Sequence, residues 1–314
     1  MKERIIGGLL VSILLGACQE KENTSFSTSS SSVGTSSTVH EKQESWDLEL
    51  GSGVDILFFG DTSGSMTQEL QTLGEEVSQF IEELVLYTDD WQLIAVTGPD
   101  GCGVGGVLDA NTANYSNIFA DGIITPPGED LVDEWGLYNV QMALEASSDG
   151  GCNKGFVRED ARLHVIFISD EDDNSPGWDS GNTEYWKEYY SAITSHKKDF
   201  EQVMFSGIIG PVPNGCDGVE PGNGYADLIS ETEGENLSIC DDWQTDIDRL
   251  VDATISYPLF SLEKVPIESS IQVIIDGETQ NAWDYEADRN AVYFDENPPK
   301  LGNEVSIIYD YYFE

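Results

Sequence analysis

The residues whose types and spacing suit chemistry best are Asp61-Thr62-Ser63-Gly64-Ser65, one acid and two serines at alternate positions. They follow the apolar run Val54 to Phe59, which reads as a strand. Open α/β sheets bind their ligands at the carboxyl ends of strands. Oxygen ligands suit a hard cation such as Mg²⁺, which takes few protein groups and keeps water-filled positions. The same five residues also suit a capped helix start, with Ser63 or Ser65 as the cap. A second acid weighs against that simpler reading. The run Leu163-His164-Val165-Ile166-Phe167-Ile168-Ser169 leads into Asp170-Glu171-Asp172-Asp173-Asn174-Ser175.

Asp-Xaa-Ser-Xaa-Ser after a first strand, with an acid ending a later strand, resembles the metal-ion-dependent adhesion site (MIDAS) of von Willebrand factor type A (VWA) domains. The resemblance covers about Asp55 to Tyr257, with the order of elements supporting the motif. It implies a doubly wound, mostly parallel α/β sheet. It also implies that Ser63 and Ser65 touch the cation, with Asp61 and Asp170 acting directly or through water. The family's threonine precedes a helix containing Ala-Leu. The matching pair here is Ala143-Leu144, and counting back from it reaches Tyr138, which makes a poor ligand. Glu134 is the oxygen donor expected instead, with Thr125 the other candidate. A glutamate there adds negative charge, holding the cation more tightly while weakening its pull on an acidic partner.

Other chemistries find less support. There is no Gly-Xaa-Ser-Xaa-Gly, and no histidine stands near a nucleophile: His164 lies in an apolar strand, His196 on a polar helix end, and His40 in the tether. No base is evident for metal-assisted hydrolysis, so the chain is expected not to be an enzyme. The run Gly101-Cys102-Gly103-Val104-Gly105-Gly106 matches the dinucleotide pattern, but Asn and Thr follow rather than an opening helix. Asp170 to Asn174 hints at a calcium loop. Ser175 and Gly181 stand where that template needs Gly and Glu, so a solvated acidic loop is expected, with a separate Ca²⁺ on Asp172 or Asp173 as the alternative.

The elements that must position these residues alternate. Helical spacing runs from Met66 to Leu84, a strand over Trp91–Thr97, and a helix over Leu137–Ala146. The strand before Asp170 follows, then a helix over Glu184–Lys198, a strand over Val203–Ile209 and a helix over Trp243–Ile255. Residues 98–127 and 210–242 read as long loops rich in Gly, Asn and Pro. Beyond Leu259, short β runs such as Ile271–Ile275, Trp283–Tyr285 and Val305–Tyr309 predict a small antiparallel β-sandwich-like unit.

The amino terminus reads as an export signal: Lys2 and Arg4, an apolar run from Ile5, then Leu15-Gly16-Ala17-Cys18. The last four residues resemble a bacterial lipobox, which implies acylation of Cys18, and Gln19 by the same resemblance favours the outer membrane. Glu20 to Glu44 is rich in Ser and Thr and reads as a disordered tether. The expected domains are therefore 1–17 signal, 18–50 tether, 51–257 VWA-like and 258–314 β unit. The remaining cysteines, Cys102, Cys152, Cys216 and Cys240, allow three pairings. The expected one is Cys102–Cys152 and Cys216–Cys240, since each pair lies in Gly-rich loops of one domain. The absence of Cys-Xaa-Xaa-Cys, with only three His in the chain, argues against zinc.

The chain carries 59 acids against 14 bases, a formal net charge of −45. Such a surface repels nucleic acid and anionic lipid and attracts divalent cations and basic partners, although most of these acids are expected to serve solubility or a saline habitat. Together these readings predict a lipid-anchored envelope protein. Its VWA-like domain is expected to bind Mg²⁺ (or Mn²⁺ or Ca²⁺) and, through it, a protein ligand. A structural envelope protein with a non-functional or purely stabilising metal site is the alternative, with a metal-dependent hydrolase a more remote one.

Overall fold

The computed structural model describes residues 38–48, 53–124, 135–178, 182–294 and 297–313. It begins with β1 (Val39–Asp47), β2 (Val54–Gly60), α1 (Thr67–Leu84), β3 (Trp91–Val96), β4 (Leu108–Asp109) and α2 (Tyr115–Ile124). Next come α3 (Gly136–Glu145), β5 (Arg162–Ser169), α4 (Trp186–Thr194), β6 (Val203–Ile209), α5 (Tyr225–Glu231), β7 (Asn236–Ser238) and α6 (Ile247–Ile255). The chain ends with β8 (Leu259–Ser261), β9 (Gln272–Ile275), β10 (Glu278–Gln280), β11 (Asp284–Glu286), β12 (Ala291–Tyr293) and β13 (Glu304–Tyr312).

Strands β2, β5 and β6 are buried at every position, so neither of their faces is left to water. They form the middle of a six-stranded sheet, ordered β4-β3-β2-β5-β6-β7, in which only β4 is antiparallel. Helices cover both faces. On one, Phe58 packs with Leu73 and Phe80 of α1, Phe119 of α2 and Leu250 of α6. On the other, Phe59 and Phe167 pack with Leu137 of α3, Tyr189 of α4 and Tyr225 of α5. The architecture is thus α/β with a mostly parallel central sheet, accompanied by antiparallel sheets.

Two helices lie inside stretches expected to be loops. In α2 the apolar residues Ile118, Phe119, Ile123 and Ile124 are interrupted by Asp121-Gly122, which blurs the helical period. Gly122 packs closely there, since a Cβ would stand 3.0 Å from the Val104 carbonyl oxygen, a tight approach that a small shift of Val104 would have to relieve. Helix α5 has seven residues, too few to show a period. Helix α4 is shorter than expected, and Trp243–Asp246 is a 3₁₀ turn leading into α6.

The domain boundaries also need correction. Residues 39–47, expected to lie in the tether, form β1 and pair antiparallel with β13 along its whole length, from Val39 opposite Tyr312 to Asp47 opposite Glu304. The β unit is therefore built from both flanks of the α/β unit. It has a four-stranded sheet ordered β1-β13-β9-β10 and a three-stranded sheet ordered β11-β12-β8. Both sheets bury side chains in one core that includes Phe260, Val273, Val292, Val305 and Ile307. Strand β1 was hidden because its half-buried positions are Lys42, Glu44 and Trp46 rather than an apolar row. Lys42 pairs with Glu263, and the Tyr309 hydroxyl donates to Glu44. The signal segment 1–17, Cys18 and the tether up to residue 37 lie outside the described residues. Among the described residues, no helix is long and apolar enough to cross a membrane.

The two units are tied together. Arg289 donates to the Glu231 carbonyl at 2.6 Å, and Lys300 pairs with Asp252 at 2.7 Å. Leu301 is buried in the core beneath α1 and α6.

Disulfides join Cys102 to Cys152 and Cys216 to Cys240, the pairing expected from the loops, across 50 and 24 residues. On the loop-entropy account, serine at both Cys102 and Cys152 lowers unfolding free energy by about 4 kcal/mol, and at both Cys216 and Cys240 by about 3 kcal/mol. Urea titration of each double variant measures this.

Candidate metal centre

Strands β2 and β5 are hydrogen-bonded neighbours with Gly60 opposite Ile168, so Asp61 and Ser169-Asp170 emerge side by side at the carboxyl end of the sheet. The Asp61 amide donates to the Ile168 carbonyl at 3.0 Å, extending the ladder by one residue. Both acids are nearly enclosed: Asp61 is 5% exposed and Asp170 8%. Asp61 accepts the Ser63 amide at 2.8 Å on Oδ1 and the Ser169 hydroxyl at 2.8 Å on Oδ2. Its orientation is therefore set from its own loop and from β5.

Ser63 Oγ lies 2.9 Å from Ser65 Oγ and 3.5 Å from Asp170 Oδ1. The helix-cap reading fits poorly. Ser63 stands at the N-cap position of the turn Gly64–Met66, yet its side chain makes no cap hydrogen bond. The oxygens instead converge on one another. Neighbouring ligands in an octahedron with Mg²⁺–oxygen bonds of about 2.1 Å lie about 3 Å apart, and the wider Ca²⁺ shell spaces them at about 3.3–3.7 Å. The 2.9 Å pair matches the Mg²⁺ spacing and the 3.5 Å pair the Ca²⁺ spacing, so the oxygens lie within the range that hard-cation shells span, although 2.9 Å is also an ordinary hydroxyl–hydroxyl hydrogen bond. Among the described residues, no group of three or more His, Cys, Asp or Glu side chains is placed to hold a metal. The centre has two acids with two hydroxyls. Glu134 and Thr125 lie outside the described residues.

The structure adds residues that the sequence did not single out. Asp173, expected in a solvated loop, is fully buried. It accepts the Leu137 amide at 3.0 Å, the Ser175 hydroxyl at 2.7 Å and the Tyr185 hydroxyl at 2.8 Å. The Ser175 hydroxyl in turn accepts the Tyr138 amide at 3.0 Å. Asp173 and Ser175 thus satisfy first-turn N–H groups of α3, and an acid there complements the helix dipole. This explains the failure of the calcium-loop template, since Asp173 faces α3 rather than solvent. The sequence signal available was Asp-Xaa-Ser, a capping pair that serves a helix distant in the chain.

Burial raises the Asp173 carboxyl to about 6, against the pull of its hydrogen bonds. A folded pKa above the unfolded value of 3.8 means the folded chain holds an extra proton between about pH 4 and 6. That stabilisation is full below about pH 4 and is lost as pH rises through about 6. Asp173→Asn removes this fall, which urea titrations at several pH values detect.

Among the described residues, two buried polar atoms near this end of the sheet have no hydrogen-bond partner: Thr97 Oγ1 and Asn139 Oδ1. Thr97 follows β3, Asn139 lies in the first turn of α3, and Tyr225 opens α5. Burial, with the charges of Asp173 and Asp61 adding to it, holds the Tyr225 phenol protonated. Gly136 admits this ring, since a Cβ there would stand 2.5 Å from Tyr225 Oη.

No protein-family model matches the chain, and no curated protein matches it. Among the solved structures similar in part are two that illustrate the likeness. Proximal thread matrix protein 1 from the mussel byssus is 16% identical, covering 67% of this chain and 47% of that one, at TM-score 0.39. The human COPII-coat protein Sec24c is 9% identical, covering 87% of this chain and 42% of that one, at TM-score 0.41. This chain spans less than half the length of either, and neither likeness bears on the site.

Proposed function

We propose that this chain is a cell-envelope protein, lipid-anchored through Cys18, whose α/β unit is a VWA-type domain that binds a divalent cation and, through it, a protein partner. Asp61, Ser63, Ser65 and Asp170 hold the ion, with Glu134 as the further donor. Mg²⁺ is the first choice, with Mn²⁺ or Ca²⁺ as substitutes. Bound there, the ion supplies a positive charge that attracts a partner oxygen. The chain's own residues pre-orient that site: Ser169 and the Ser63 amide fix both Asp61 oxygens. The observation that carries the reading is the convergence of Ser63, Ser65 and Asp170 oxygens from two neighbouring strand ends.

Binding rather than catalysis is favoured by where the histidines lie. His164 is buried between Thr254 and Ser206, each 2.8 Å from a ring nitrogen, and burial pushes its pKa well down. His40 stacks near Tyr311 and Phe313 on β1, and His196 follows α4. None supplies a base at the carboxyl end of β2. The test is a pull-down from envelope extract with Mg²⁺ or with EDTA. A partner retained with Mg²⁺ and released by EDTA, and absent with Asp61→Ala, is the expected result. Identical captures under all three conditions overturn the reading.

A further inference from the structure

The β unit carries an open cleft of about 610 Å³ lined by Ile267, Glu268, Ser269, Trp283, Asp284 and Tyr285. Trp283 and Tyr285 stand two residues apart where β11 begins, so their side chains share a face. Both are half-buried and pack against the core of the unit. Their polar atoms are already engaged. Trp283 Nε1 donates to the Gln280 carbonyl at 3.0 Å, and the Tyr285 hydroxyl donates to Asn290 Oδ1 at 2.8 Å. What remains for a ligand is aromatic surface and the carboxylates of Glu268 and Asp284, both exposed residues. The charge of Glu268 reaches the ring, where it adds to burial in raising the Tyr285 phenol. No Lys or Arg lines the cleft.

Aromatic faces beside carboxylates attract an organic cation, through the ring quadrupole and through charge. The volume lies in the range of sites that enclose several residues or a drug-sized ligand, well above a single ammonium group. A sugar also stacks on aromatic rings, but reading its hydroxyls takes donors as well as acceptors, and Ser269 is the one side-chain donor left in the lining. We propose that this cleft binds a basic peptide segment of a partner protein, with an arginine or lysine side chain over Trp283 and its charge met by Glu268. The site is independent of the metal centre.

The test uses the full chain in EDTA at about 0.15 M salt, which screens the general attraction of an acidic surface. The probe is acetyl-Arg-Arg-Arg-amide, followed by calorimetry, with the neutral citrulline tripeptide as its isostere. The arginine peptide is expected to saturate and the citrulline peptide to bind at least about tenfold more weakly. Glu268→Gln weakens binding about threefold or more and melts like the parent, while Trp283→Leu weakens it about tenfold. Asp149→Asn, an exposed acid in the α/β unit, leaves binding unchanged. Absence of binding, equal affinity for the citrulline peptide, or equal effects of Glu268→Gln and Asp149→Asn would overturn the proposal. Displacement of the peptide by a chito-oligosaccharide would reassign the cleft to sugar and overturn it as well.

Discussion

Asp61→Ala and Asp170→Ala each abolish the thermal stabilisation that divalent cations give the parent protein. A cation at about one hundred times its dissociation constant contributes about 2.7 kcal/mol to the folded state. For an α/β unit of this size that raises the melting temperature by about 5–10 °C. The effect of either substitution is large because each acid is nearly enclosed at a different strand end, Asp170 beside the Ser63 hydroxyl and Asp61 holding the Ser63 amide. Removing one leaves at most one described carboxylate near Ser63 and Ser65, and affinity falls by about a hundredfold or more. Ser63→Ala acts in the same direction, since its hydroxyl lies between Ser65 and Asp170. Differential scanning with and without Mg²⁺, Mn²⁺ and Ca²⁺ reads all three variants. A parent-like shift in Asp61→Ala removes that residue from the site.

Asp55→Ala has the largest expected effect on folding itself. Asp55 is fully buried near the start of β2, at the end of the sheet opposite the metal centre. Its Oδ1 accepts Arg158 Nε at 2.6 Å, and its Oδ2 accepts the Arg158 amide at 2.8 Å and Lys197 Nζ at 3.0 Å. Lys197 is itself buried, donates to the Ala161 carbonyl at 2.7 Å, and has its pKa lowered by burial against the opposing charge of Asp55. Without the carboxylate, the ammonium is a buried cation beside the Arg158 guanidinium. Breaking such a pair from one side costs about 3–5 kcal/mol. The control is Asp90→Ala, which removes the other, solvent-exposed carboxylate on Arg158 and costs at most about 1 kcal/mol. Urea titration separates the two. Equal losses would mean that burial of the Asp55 cluster does not set its energy.

The same residue shows what was legible and what was not. The stretch Val54 to Phe59 reads as an apolar strand ending in an acid, and the structure places β2 there, buried on both faces. Asp55 inside that run has partners 103 and 142 residues away, Arg158 and Lys197. No local pattern carries that information. The central strands were legible as nearly unbroken apolar runs, and the long helix α1 because its apolar residues keep one helical period over its length. Helix α2 was not, because Asp121-Gly122, where the helix packs close against Val104, interrupts its apolar spacing. Strand β1 was not, because its ladder partner is the far end of the chain and its inward row includes Lys42 and Glu44.

At the candidate centre, Asp61, Ser63 and Ser65 stand out in the sequence by their spacing after a strand, and Asp170 by the family resemblance; the structure brings the two strand ends side by side. The bracing around them was not legible. Ser169, Asp173, Ser175 and Tyr225 act through contacts between β5, α3 and α5, and each is an ordinary residue type in its own local sequence. Their roles follow from the tertiary neighbourhood alone.

The central claim is that the ends of β2 and β5 together hold a divalent cation. Isothermal titration of Mg²⁺, Mn²⁺ and Ca²⁺ into EDTA-stripped, dialysed protein measures it most directly, with the double variant Asp61→Ala/Asp170→Ala alongside. The account predicts a saturating single-site isotherm for at least one of these ions in the parent and none in the variant. Flat traces for all three ions in the parent, or the same isotherm in both proteins, contradict it.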